Sequence, residues 1–568
     1  MPAERPRWFP ALLIALSAAV WLGWFSPAIS DTDFWWHLKT GQYLVETHSL
    51  PVPDPFAYTT AAARPAYAGE ARVRYFNLTH EWLAQAIFYG VWHAAGFPGL
   101  VLFRAALLAV FCGLVGLVVW RRCAGFYRAL AASFAAAGVA ARFAVDRPYL
   151  FTFVFLALAV TILEWRPAGW RVWLLPPLLL VWANCHGGYV LGWVVLGAYS
   201  AQALVLARRG KPVPGARTLW LASAAAVLLS GANPNGYAIL LVLADYHASY
   251  LQSRLLEWSP LPLWPLEWPS ALLLAGGATM LWAWRRARVV DWLLFGAFAA
   301  AALAASRNAI LIGLIAPIVM ASYLPAWKRA LPPSTDWAAA VALAAALVWG
   351  IFEGNFFQLR VNAWKWPAGA ADFLLAHHIR SPLFNTYEYG GYLMWRLWPQ
   401  ERVFIDGRAL SESVFQDYVR ILYNHDASGG PSAQQLLDRY GVQVLVLNGF
   451  EYITGNLYFL APALADPRET TWKLVYSDAQ AMVLMRDPPP GVTPLPQLQV
   501  LDGLEAECAL HIDHEPQYPR CARALGQTFA KIGDLTRARK WIGIYLAGPH
   551  GPDPEAEEAY QKLAGMGR

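Results

Sequence analysis

A succession of apolar segments fills the first 353 residues and limits the fold more than any other feature. Eleven stretches are long enough to cross a bilayer, some of them only with breaks. Charged residues make up 14% of the chain, against about 25% in a soluble domain. This predicts an α-helical polytopic membrane domain at 1–353. The segments lie at 8–28, 97–120, 126–144, 148–165, 171–184, 188–207, 218–232, 268–284, 289–306, 308–325 and 335–352.

The net charge and the cysteine spacing indicate which ligands the chain is suited to bind. The formal net charge is +6 over 568 residues, which is modest. Membrane proteins gain Lys and Arg from their cytoplasmic loops alone, so this excess indicates contact with membrane lipid and no nucleic-acid partner. The five cysteines show no CxxC pair or other metal-ligand spacing.

Basic residues between the segments predict the orientation. They fall on one side, which the positive-inside rule makes the cytoplasm. Eleven crossings from a cytoplasmic N-terminus leave everything after about residue 353 outside a bacterial-type inner (plasma) membrane. The first segment could also be a cleaved signal peptide, but its apolar run is long for one and we favour a retained helix. The basic residues are Arg5, Arg7, Arg121, Arg122, Arg128, Arg166, Arg171, Arg208, Arg209, Lys211, Arg285, Arg286, Arg288, Lys328 and Arg329.

Two regions outside the membrane carry further structure. Residues 29–96 form a large first external loop, in which the amphipathic stretches Phe34–Leu44 and Glu81–Ala95 predict helices lying in the interface plane. Residues 354–490 alternate β-like and helical runs, which predicts an extracytoplasmic α/β domain. The β-like runs are 382–385, 402–406, 442–447, 473–476 and 481–485, and the helical runs are 411–423 and 432–440.

The last segment, 491–568, is predicted to be helical throughout. Residues 524–538 resemble a tetratricopeptide repeat (TPR), in which small residues let paired helices pack closely. One such unit cannot bury a solenoid core, so a TPR-like hairpin capping the α/β domain is the preferred interpretation. Cys508 and Cys521 lie at equal distances from the expected turn at His514-Glu515, which makes them candidates for a disulfide in an oxidising compartment.

An acidic, aromatic run follows the first segment. On an extended chain Asp31 and Asp33 would point to opposite faces, so that one faces a site and the other anchors the loop. The run Asp31-Thr32-Asp33-Phe34-Trp35-Trp36-His37 resembles the first-loop motif of the GT-C superfamily of membrane glycosyltransferases, and more narrowly that of the oligosaccharyltransferase catalytic subunit. The resemblance implies that Asp33 activates an acceptor or binds a metal, with Asp31 second and His37 as a supporting ligand or proton carrier. The alternatives are an acidic interface cap and, for His37, interfacial packing.

A second resemblance lies after the last segment. The run Asn385-Thr386-Tyr387-Glu388-Tyr389-Gly390-Gly391-Tyr392, followed by residues 402–408, is similar to the acceptor motif that opens the external domain of oligosaccharyltransferase. The resemblance implies acceptor binding by Tyr387, Glu388 and Tyr389. Thr386-Tyr387 stand where tandem tryptophans are expected and Glu388 replaces Asp, so sequon recognition is not implied. The alternative is a glycine-bearing strand and turn that only build the domain.

The donor that the resemblance implies is a sugar linked to a polyprenyl phosphate, which needs cations beside its phosphate. Arg147 and Arg307 are the natural clamps, because guanidinium binds phosphate oxygens bidentately. His186 lies in a glycine-bearing break of an apolar stretch, and Arg104 lies within the second segment. Each arginine could equally cap a helix or reach the interface. For Glu81 we prefer a first-turn acid, favoured by the helix dipole, over catalysis.

The resemblance implies an inverting, hexosyltransferase-like enzyme that moves a sugar from the lipid-phosphate carrier to an acceptor at the outer face. A divalent cation, Mg²⁺ or Mn²⁺, is a candidate cofactor with Asp33 and Asp146 as ligands, although the second metal motif of the nearer relatives is absent. The alternative function is a non-enzymatic membrane scaffold that docks a periplasmic partner through its C-terminal domain. If the first interpretation is right, Asp33, Arg147, His186 and Arg307 should converge on one external cavity.

Overall fold

The computed structural model describes residues 8–165, 169–246, 258–325, 332–423, 430–451, 454–517 and 519–566. Of the basic residues named above, Arg5, Arg7, Arg166, Lys328 and Arg329 lie outside these ranges. The helices are α1 (Phe9–Trp24), α2 (Phe34–Thr47), α3 (Tyr58–Ala62), α4 (Glu70–Thr79), α5 (Trp82–Cys123), α6 (Phe126–Ala140), α7 (Tyr149–Trp165), α8 (Leu175–Cys185), α9 (Val190–Arg208), α10 (Ala216–Ser230), α11 (Ile239–Tyr246), α12 (Trp268–Trp282), α13 (Val289–Ala304), α14 (Ala309–Tyr323), α15 (Pro333–Phe352), α16 (Ala368–Ala376), α17 (Tyr387–Leu397), α18 (Glu412–Tyr423), α19 (Ala433–Arg439), α20 (Leu460–Ala463), α21 (Gln499–His514), α22 (Arg520–Lys531), α23 (Leu535–Ala547) and α24 (Pro554–Met566). The strands are β1 (Leu383–Asn385), β2 (Val444–Leu447), β3 (Lys473–Ser477) and β4 (Met482–Met485).

The chain folds into two compact units. Unit 1 comprises Met1–Val52 and Tyr67–Val361, and unit 2 comprises Pro53–Ala66 and Asn362–Arg568. The predicted division into 1–353, 354–490 and 491–568 differs from this in two ways. Part of the first external loop belongs to unit 2, and the last two predicted domains share one unit.

The apolar segments of unit 1 form helices at every predicted place. Four helical stretches of the described residues are long and apolar enough to cross a membrane, at Glu70–Cys123, Gly187–Arg208, Ser306–Tyr323 and Ser334–Phe352. Shorter apolar helices occupy Phe9–Trp24, Tyr149–Trp165, Ala216–Ser230 and Val289–Ala304. The count of eleven crossings stays a prediction.

Local chemistry explains how these helices begin and bend. Helices α1, α8, α12 and α15 carry a proline in their first turn, where no backbone N–H is needed for the helical ladder. Gly96 interrupts α5 with φ 63° and ψ −160°, which glycine adopts without a steric penalty. The kink separates the amphipathic stretch before Gly96 from the apolar stretch after it.

Helix α14 is the central element of unit 1. Every residue from Ala309 to Val319 is buried. A helix that is apolar on all sides needs neighbours on all sides. The core around it is built from buried residues of α5, α6, α7 and α9 as well.

Charged residues collect at one end of unit 1. Arg122 at the end of α5 pairs with Glu164 of α7 at 2.8 Å and with Asp291 of α13 at 2.9 Å. Arg288 pairs with the same two carboxylates at 2.7 and 3.0 Å. Two of the basic loops therefore lie at the same end of the bundle, as the predicted topology requires.

Unit 2 contains a four-stranded sheet in the order β1-β2-β4-β3. Strand β1 pairs parallel with β2, whereas β4 pairs antiparallel with both β2 and β3. Strands β1, β2 and β4 are buried at every position. Strands of a sheet with both faces covered have continuous apolar sequences, and this is why these three strands could be predicted.

One prediction for unit 2 is wrong, because residues 402–406 form no strand. Val403 makes a single parallel bridge with Ala57 instead. The partner of Val403 therefore comes from the first external loop, which is distant in sequence. Of the alternative interpretation of the second motif, the strand is present at Leu383–Asn385, but residues 387–397 form helix α17 and not a turn.

The C-terminal helices α21 to α24 complete the core of unit 2. Cys508 of α21 and Cys521 of α22 form a disulfide, with their Cα atoms 5.7 Å apart. Gly526 lies so close to Ile542 of α23 that a Cβ atom would be 3.0 Å from the backbone nitrogen of Ile542. Small residues do bring α22 and α23 together, while the assignment to the TPR class stays a prediction.

Candidate functional site

A cavity of about 550 Å³ in unit 1 brings together polar groups from four separate parts of the chain. Arg147, His186 and Arg307 line it, together with His80 and Arg142. The rest of its wall is mainly apolar, formed by side chains such as Phe143, Phe153, Leu191, Ile239, Leu243 and Leu311. A cavity lined by both cationic and apolar side chains suits an amphipathic ligand.

Arg147 connects the acidic first loop to this cavity. Its guanidinium binds both carboxylate oxygens of Asp31, through Nε to Oδ2 and through Nη2 to Oδ1 at 2.7 Å. Nη2 also lies 3.0 Å from Oδ2 of Asp33. Burial raises the pKa of Asp31, but the charge and hydrogen bonds of Arg147 outweigh it and hold that pKa below its ordinary value.

The prediction that Asp31 and Asp33 point to opposite faces is wrong, because both contact the same arginine. It assumed an extended chain, but Asp33 already has the helical conformation, with φ −74° and ψ −22°. The Asp33 backbone N–H donates to Oδ1 of Asp31 at 3.3 Å, which tightens the turn into α2. The Asp33 side chain is 16% exposed and that of Asp31 8%. Asp33 is therefore the more accessible of the two carboxylates.

Asp146 and Arg104 form a separate buried pair. Arg104 of α5 donates to Oδ2 of Asp146 and to the carbonyl oxygens of Phe25 and Pro27, and its side chain is 1% exposed. Burial raises the pKa of Asp146 to about 6, against the opposing charge of Arg104. Arg104 is not among the residues that line the cavity. Its contacts brace α5 against the loop that follows α1.

The carboxylates proposed as metal ligands do not fit a divalent cation. Asp33 is paired with Arg147 and Asp146 with Arg104, so a guanidinium already lies against each carboxylate. Within the described ranges, no group of three or more His, Cys, Asp and Glu side chains is arranged to hold a metal ion.

Three histidines surround the carboxylate of Glu81, which lies just before α5. Oε2 is 3.6 Å from Nδ1 of His37, and Oε1 is 3.3 Å from Nε2 of His80 and 3.7 Å from Nε2 of His186. Glu81 is 8% exposed and His37 3%. The side chain of His37 thus contacts Glu81, and its backbone N–H donates to the carbonyl oxygen of Asp33 at 3.3 Å.

His186 is held by the backbone of its own loop. The Gly188 N–H donates to its Nδ1 at 3.0 Å, and Thr152 Oγ1 lies 2.9 Å from the same nitrogen. A Cβ atom on Gly188 would be 2.9 Å from Nδ1 of His186, so only glycine allows this approach. Burial lowers the pKa of His186 to about 3 and that of His37 to about 4. Both imidazoles are therefore neutral near pH 7.

Arg307 enters the cavity from the break between α13 and α14. Its guanidinium carbon lies 4.7 Å from the ring centroid of Trp258, a distance typical of a cation–π contact. Asp33, Arg147, His186 and Arg307 were predicted to converge on one cavity. Arg147, His186 and Arg307 line the cavity, and Asp33 contacts Arg147.

The residues predicted to bind the acceptor lie in unit 2 and have partners there. Glu388 accepts a hydrogen bond from Tyr458 at 2.7 Å, and Tyr387 donates to the carbonyl of Gly407 at 2.8 Å. Tyr389 is 0% exposed and donates to the carbonyl of Gln480. Their role in acceptor binding stays a prediction.

Sequence reasoning missed His80 and underrated Glu81. The signal was present, since His80-Glu81 lies between two amphipathic helices of the same loop as His37. A carboxylate next to a helix start is so often a dipole-stabilising acid that this interpretation prevailed. Only the fold shows that histidines from two other segments reach it.

The chain was compared with known proteins. No protein-family model matches it, and no curated protein matches it either. It is similar in structure to the archaeal oligosaccharyltransferase AglB from Archaeoglobus fulgidus in complex with an inhibitory peptide and a dolichol-phosphate, with a TM-score of 0.49, 11% identity, and coverage of 87% of this chain and 77% of that chain. It is likewise similar to the Archaeoglobus fulgidus oligosaccharyltransferase tethered by a disulfide bond to an acceptor peptide containing the NVT sequon, with a TM-score of 0.49, 10% identity and the same coverage. At these values the likeness assigns neither a family nor an activity nor a substrate to this chain.

Proposed function

We propose that this chain is a membrane glycosyltransferase that moves a sugar from a polyprenyl-phosphate-linked donor to an acceptor at the extracytoplasmic face. The observation that carries the proposal is the cavity, whose lining combines Arg147, Arg307 and His186 with apolar side chains. A phosphate group needs the cationic side chains, and a polyprenyl tail needs the apolar ones.

The two arginines suit the charge that develops when the sugar leaves. Cleavage of the bond between the anomeric carbon and the phosphate oxygen places additional negative charge on the phosphate. Arg147 is held by Asp31 and Asp33, and Arg307 lies against Trp258, so both guanidinium groups are in place before the reaction. Preorganised cations stabilise such a transition state more than mobile ones.

Asp33 is the candidate that positions or activates the acceptor. It is the more exposed of the two first-loop carboxylates and is attached to the cavity through Arg147. In an inverting reaction the acceptor attacks the anomeric carbon from the face opposite the phosphate. Asp33 would hold the acceptor on that face while Arg147 holds the phosphate.

Turnover of lipid-linked sugars tests the proposal. Purified protein is incubated with polyprenyl-phosphate-linked sugars and candidate acceptors, beside the variant Asp33→Ala. We expect donor consumption by the wild type and a strong loss in Asp33→Ala. If the protein neither binds nor consumes any donor, the enzyme proposal is rejected in favour of a scaffold. If Asp33→Ala reacts at the wild-type rate, the assignment of Asp33 is wrong.

Arg307 has a matched control in Arg286. Both guanidinium groups lie over a tryptophan ring, Arg307 at 4.7 Å from Trp258 and Arg286 at 3.8 Å from Trp282, but only Arg307 lines the cavity. We expect Arg307→Ala to weaken binding of a radiolabelled donor about 10- to 100-fold, the value of one or two charge-assisted hydrogen bonds. Arg286→Ala should bind as the wild type does. Equal affinities of both variants and the wild type would reject Arg307 as a phosphate ligand.

A further inference from the structure

Unit 2 has a cavity of its own, of about 550 Å³, lined mainly by helix α22 and by the loop at residues 454–459. Arg520, Gln527 and Lys531 line it from α22, and Asn456 lines it from the loop. Residues four and seven positions apart share one face of an α-helix, so these three side chains of α22 form one wall. From Arg520 to Lys531 this wall is about 16 Å long.

Close contacts hold the two walls of this cavity together. Gly455 lies against the start of α22, where a Cβ atom would be 2.8 Å from the backbone nitrogen of Cys521. The φ angle of Gly455 is 69°, which glycine adopts without a steric penalty. Cys521 is joined to Cys508 by the disulfide, which fixes the same turn of α22 to α21. The cavity is therefore preformed, so that a ligand would lose little binding free energy in ordering it.

Four side chains of the cavity have polar groups available to a ligand. Arg520, Gln527 and Lys531 are exposed, and so is Asn456 on the opposite wall. Across the part of the chain that the structure describes, no hydrogen bond or ion pair joins any of these four side chains to another group. Two cations and two amides thus face the cavity without a protein partner.

The charges of the lining predict an anionic ligand. Arg523 also lines the cavity, but it is neutralised by Asp553 at 2.7 Å and by Glu555 at 3.0 Å. Arg520 and Lys531 have no such carboxylate, and they lie at opposite ends of the wall. Each can form charge-assisted hydrogen bonds with an anionic group. A ligand with negative groups along its length would therefore match both.

The uncharged part of the lining favours a saccharide over a peptide. Partners made of protein bind mainly through apolar and aromatic anchors that fill pockets, whereas most of the lining side chains here are polar. The amides of Asn456 and Gln527 both donate and accept hydrogen bonds, as sugar hydroxyl groups do. Phe459 also lines the cavity and is 47% exposed, so its ring is available to the C–H groups of a sugar.

We propose that the cavity of unit 2 binds an acidic saccharide, a short chain of sugars that carry carboxylate groups. Arg520 and Lys531 bind the carboxylates, and Asn456 and Gln527 bind the hydroxyl groups between them. The site is separate from the proposed donor cavity of unit 1, and none of its residues takes part in the proposed transfer of the sugar.

Calorimetric titration of the purified full-length protein in detergent tests this proposal. The probe is a tetrasaccharide of galacturonic acid, and its methyl ester has the same sugar rings without the negative charges. We expect the acid to bind and the ester to bind at least about 10-fold more weakly, because the charge-assisted hydrogen bonds are lost. Absence of binding by the acid, or equal binding of acid and ester, overturns the proposal.

A tetraglutamate peptide in the same titration tests the class of ligand. It has the same number of carboxylates as the tetrasaccharide but no hydroxyl groups along its chain. We expect it to bind at least a few-fold more weakly than the saccharide. If the peptide binds as tightly or more tightly, the saccharide is rejected and the cavity is a docking site for an acidic protein segment.

Two cations of the cavity have matched controls outside it. We expect Arg520→Ala and Lys531→Ala each to weaken binding of the acid about 10-fold, the value of one charge-assisted hydrogen bond, and to change binding of the ester little. Arg539→Ala on α23 and Lys562→Ala on α24 remove exposed cations that do not line the cavity and should bind as the wild type does. Equal affinities of all four variants and the wild type overturn the proposal.

The loop wall is tested by a pair of glycines. Gly455 and Gly441 both have a positive φ, 69° and 67°, but a Cβ atom on Gly441 would meet nothing within 4 Å. Gly455→Ala should push the loop away from α22 and weaken binding of the acid, whereas Gly441→Ala should strain its own turn and leave the affinity unchanged. Wild-type affinity in Gly455→Ala would reject the loop as part of the site. If Gly455→Ala does not fold, the exposed residues Arg520 and Lys531 decide.

The outcomes are independent of the glycosyltransferase proposal, because the titration contains no lipid-linked donor. If the donor is consumed and the acidic saccharide does not bind, the site in unit 2 is rejected and the glycosyltransferase proposal stands. If the saccharide binds and no donor is bound or consumed, the reverse holds.

Discussion

Arg147 holds two carboxylates of the first loop at once, and its removal would leave them side by side without a cation. The Asp31 and Asp33 side chains are only 8% and 16% exposed, so water would compensate their charge poorly. We expect Arg147→Ala to lower the free energy of unfolding by roughly 3–5 kcal/mol, as the loss of one partner from a buried ion pair does. Unfolding of the purified protein in detergent, by heat or denaturant, measures this change.

Arg142 is the matched control for this prediction. It lines the same cavity and pairs with Glu267, but the two side chains are 45% and 40% exposed. A solvent-exposed pair contributes at most about 1 kcal/mol, so Arg142→Ala should change the stability little. If Arg142→Ala lowered the free energy of unfolding as much as Arg147→Ala, loss of any arginine of the cavity would destabilise the protein. The effect of Arg147→Ala could then not be assigned to its contacts with Asp31 and Asp33.

The same pairing predicts a pH dependence in acid. The folded-state pKa of Asp31 lies below its ordinary value of 3.8, because Arg147 outweighs the effect of burial. The stabilisation is present above that ordinary value and is lost as the pH falls through the folded-state pKa. Arg147→Ala should therefore show a weaker loss of stability below pH 4 than the wild type.

Three of the predicted site residues line one cavity, while their roles stay predictions. Arg147, His186 and Arg307 were chosen because each interrupts an apolar stretch with a polar group, and all three line the cavity. His80 and Glu81 were not chosen as a pair. Glu81 contacts His37 and His186, and contacts between residues so far apart in sequence are not visible in a local pattern.

The contact between α2 and α5 fixes the first-loop helix of unit 1. Gly41 of α2 lies against the backbone of α5, where a Cβ atom would overlap the carbonyl of Gln85 and lie 2.9 Å from Cβ of Tyr89. A clash with backbone cannot be relieved by a rotamer change, so the two helices would have to separate. The helix that begins at Asp33 would move with them.

Gly41→Ala should therefore destabilise the protein and reduce donor binding together. We expect a loss of about 1–3 kcal/mol, typical of overpacking in a close contact. Gly90→Ala is the control on α5, since a Cβ atom there would meet nothing within 4 Å. It should stabilise the helix by up to about 1 kcal/mol through propensity alone. Similar effects of the two variants on unfolding would show that α2 does not depend on this contact.

Helices could be predicted where a segment is apolar on all sides or has a clear amphipathic pattern. The apolar segment at 308–325 became the fully surrounded helix α14, and Phe34–Leu44 became α2. The predictions failed where contacts with residues distant in the sequence determine the local structure. Residues 402–406 have the composition of a strand, but Val403 forms an isolated bridge with Ala57 of the first external loop. Tyr387–Leu397 adopts a helix despite two glycines. Tertiary context overrides local propensity at such places.

The whole molecule combines an apolar bundle with a unit that holds a disulfide. Cys508 and Cys521 are joined in unit 2, and disulfides persist in oxidising compartments. The basic loops near Arg122 and Arg288 lie at one end of unit 1. The predicted orientation, with the basic loops in the cytoplasm and the residues after about 353 outside, is the one that the glycosyltransferase proposal requires.

Labelling of introduced cysteines in intact cells tests this orientation. Arg468 of unit 2 has an 89% exposed side chain, and Lys211 lies exposed in the loop between α9 and α10. We expect a membrane-impermeant maleimide to label Arg468→Cys in intact cells and Lys211→Cys only after permeabilisation. The parent chain is the background control, because Cys112 and Cys185 are buried and Cys123 is half-buried. Labelling of both variants in intact cells would reject the alternation of sides. The reverse pattern would place the basic loops outside, and the donor would then have to be supplied from the cytoplasm.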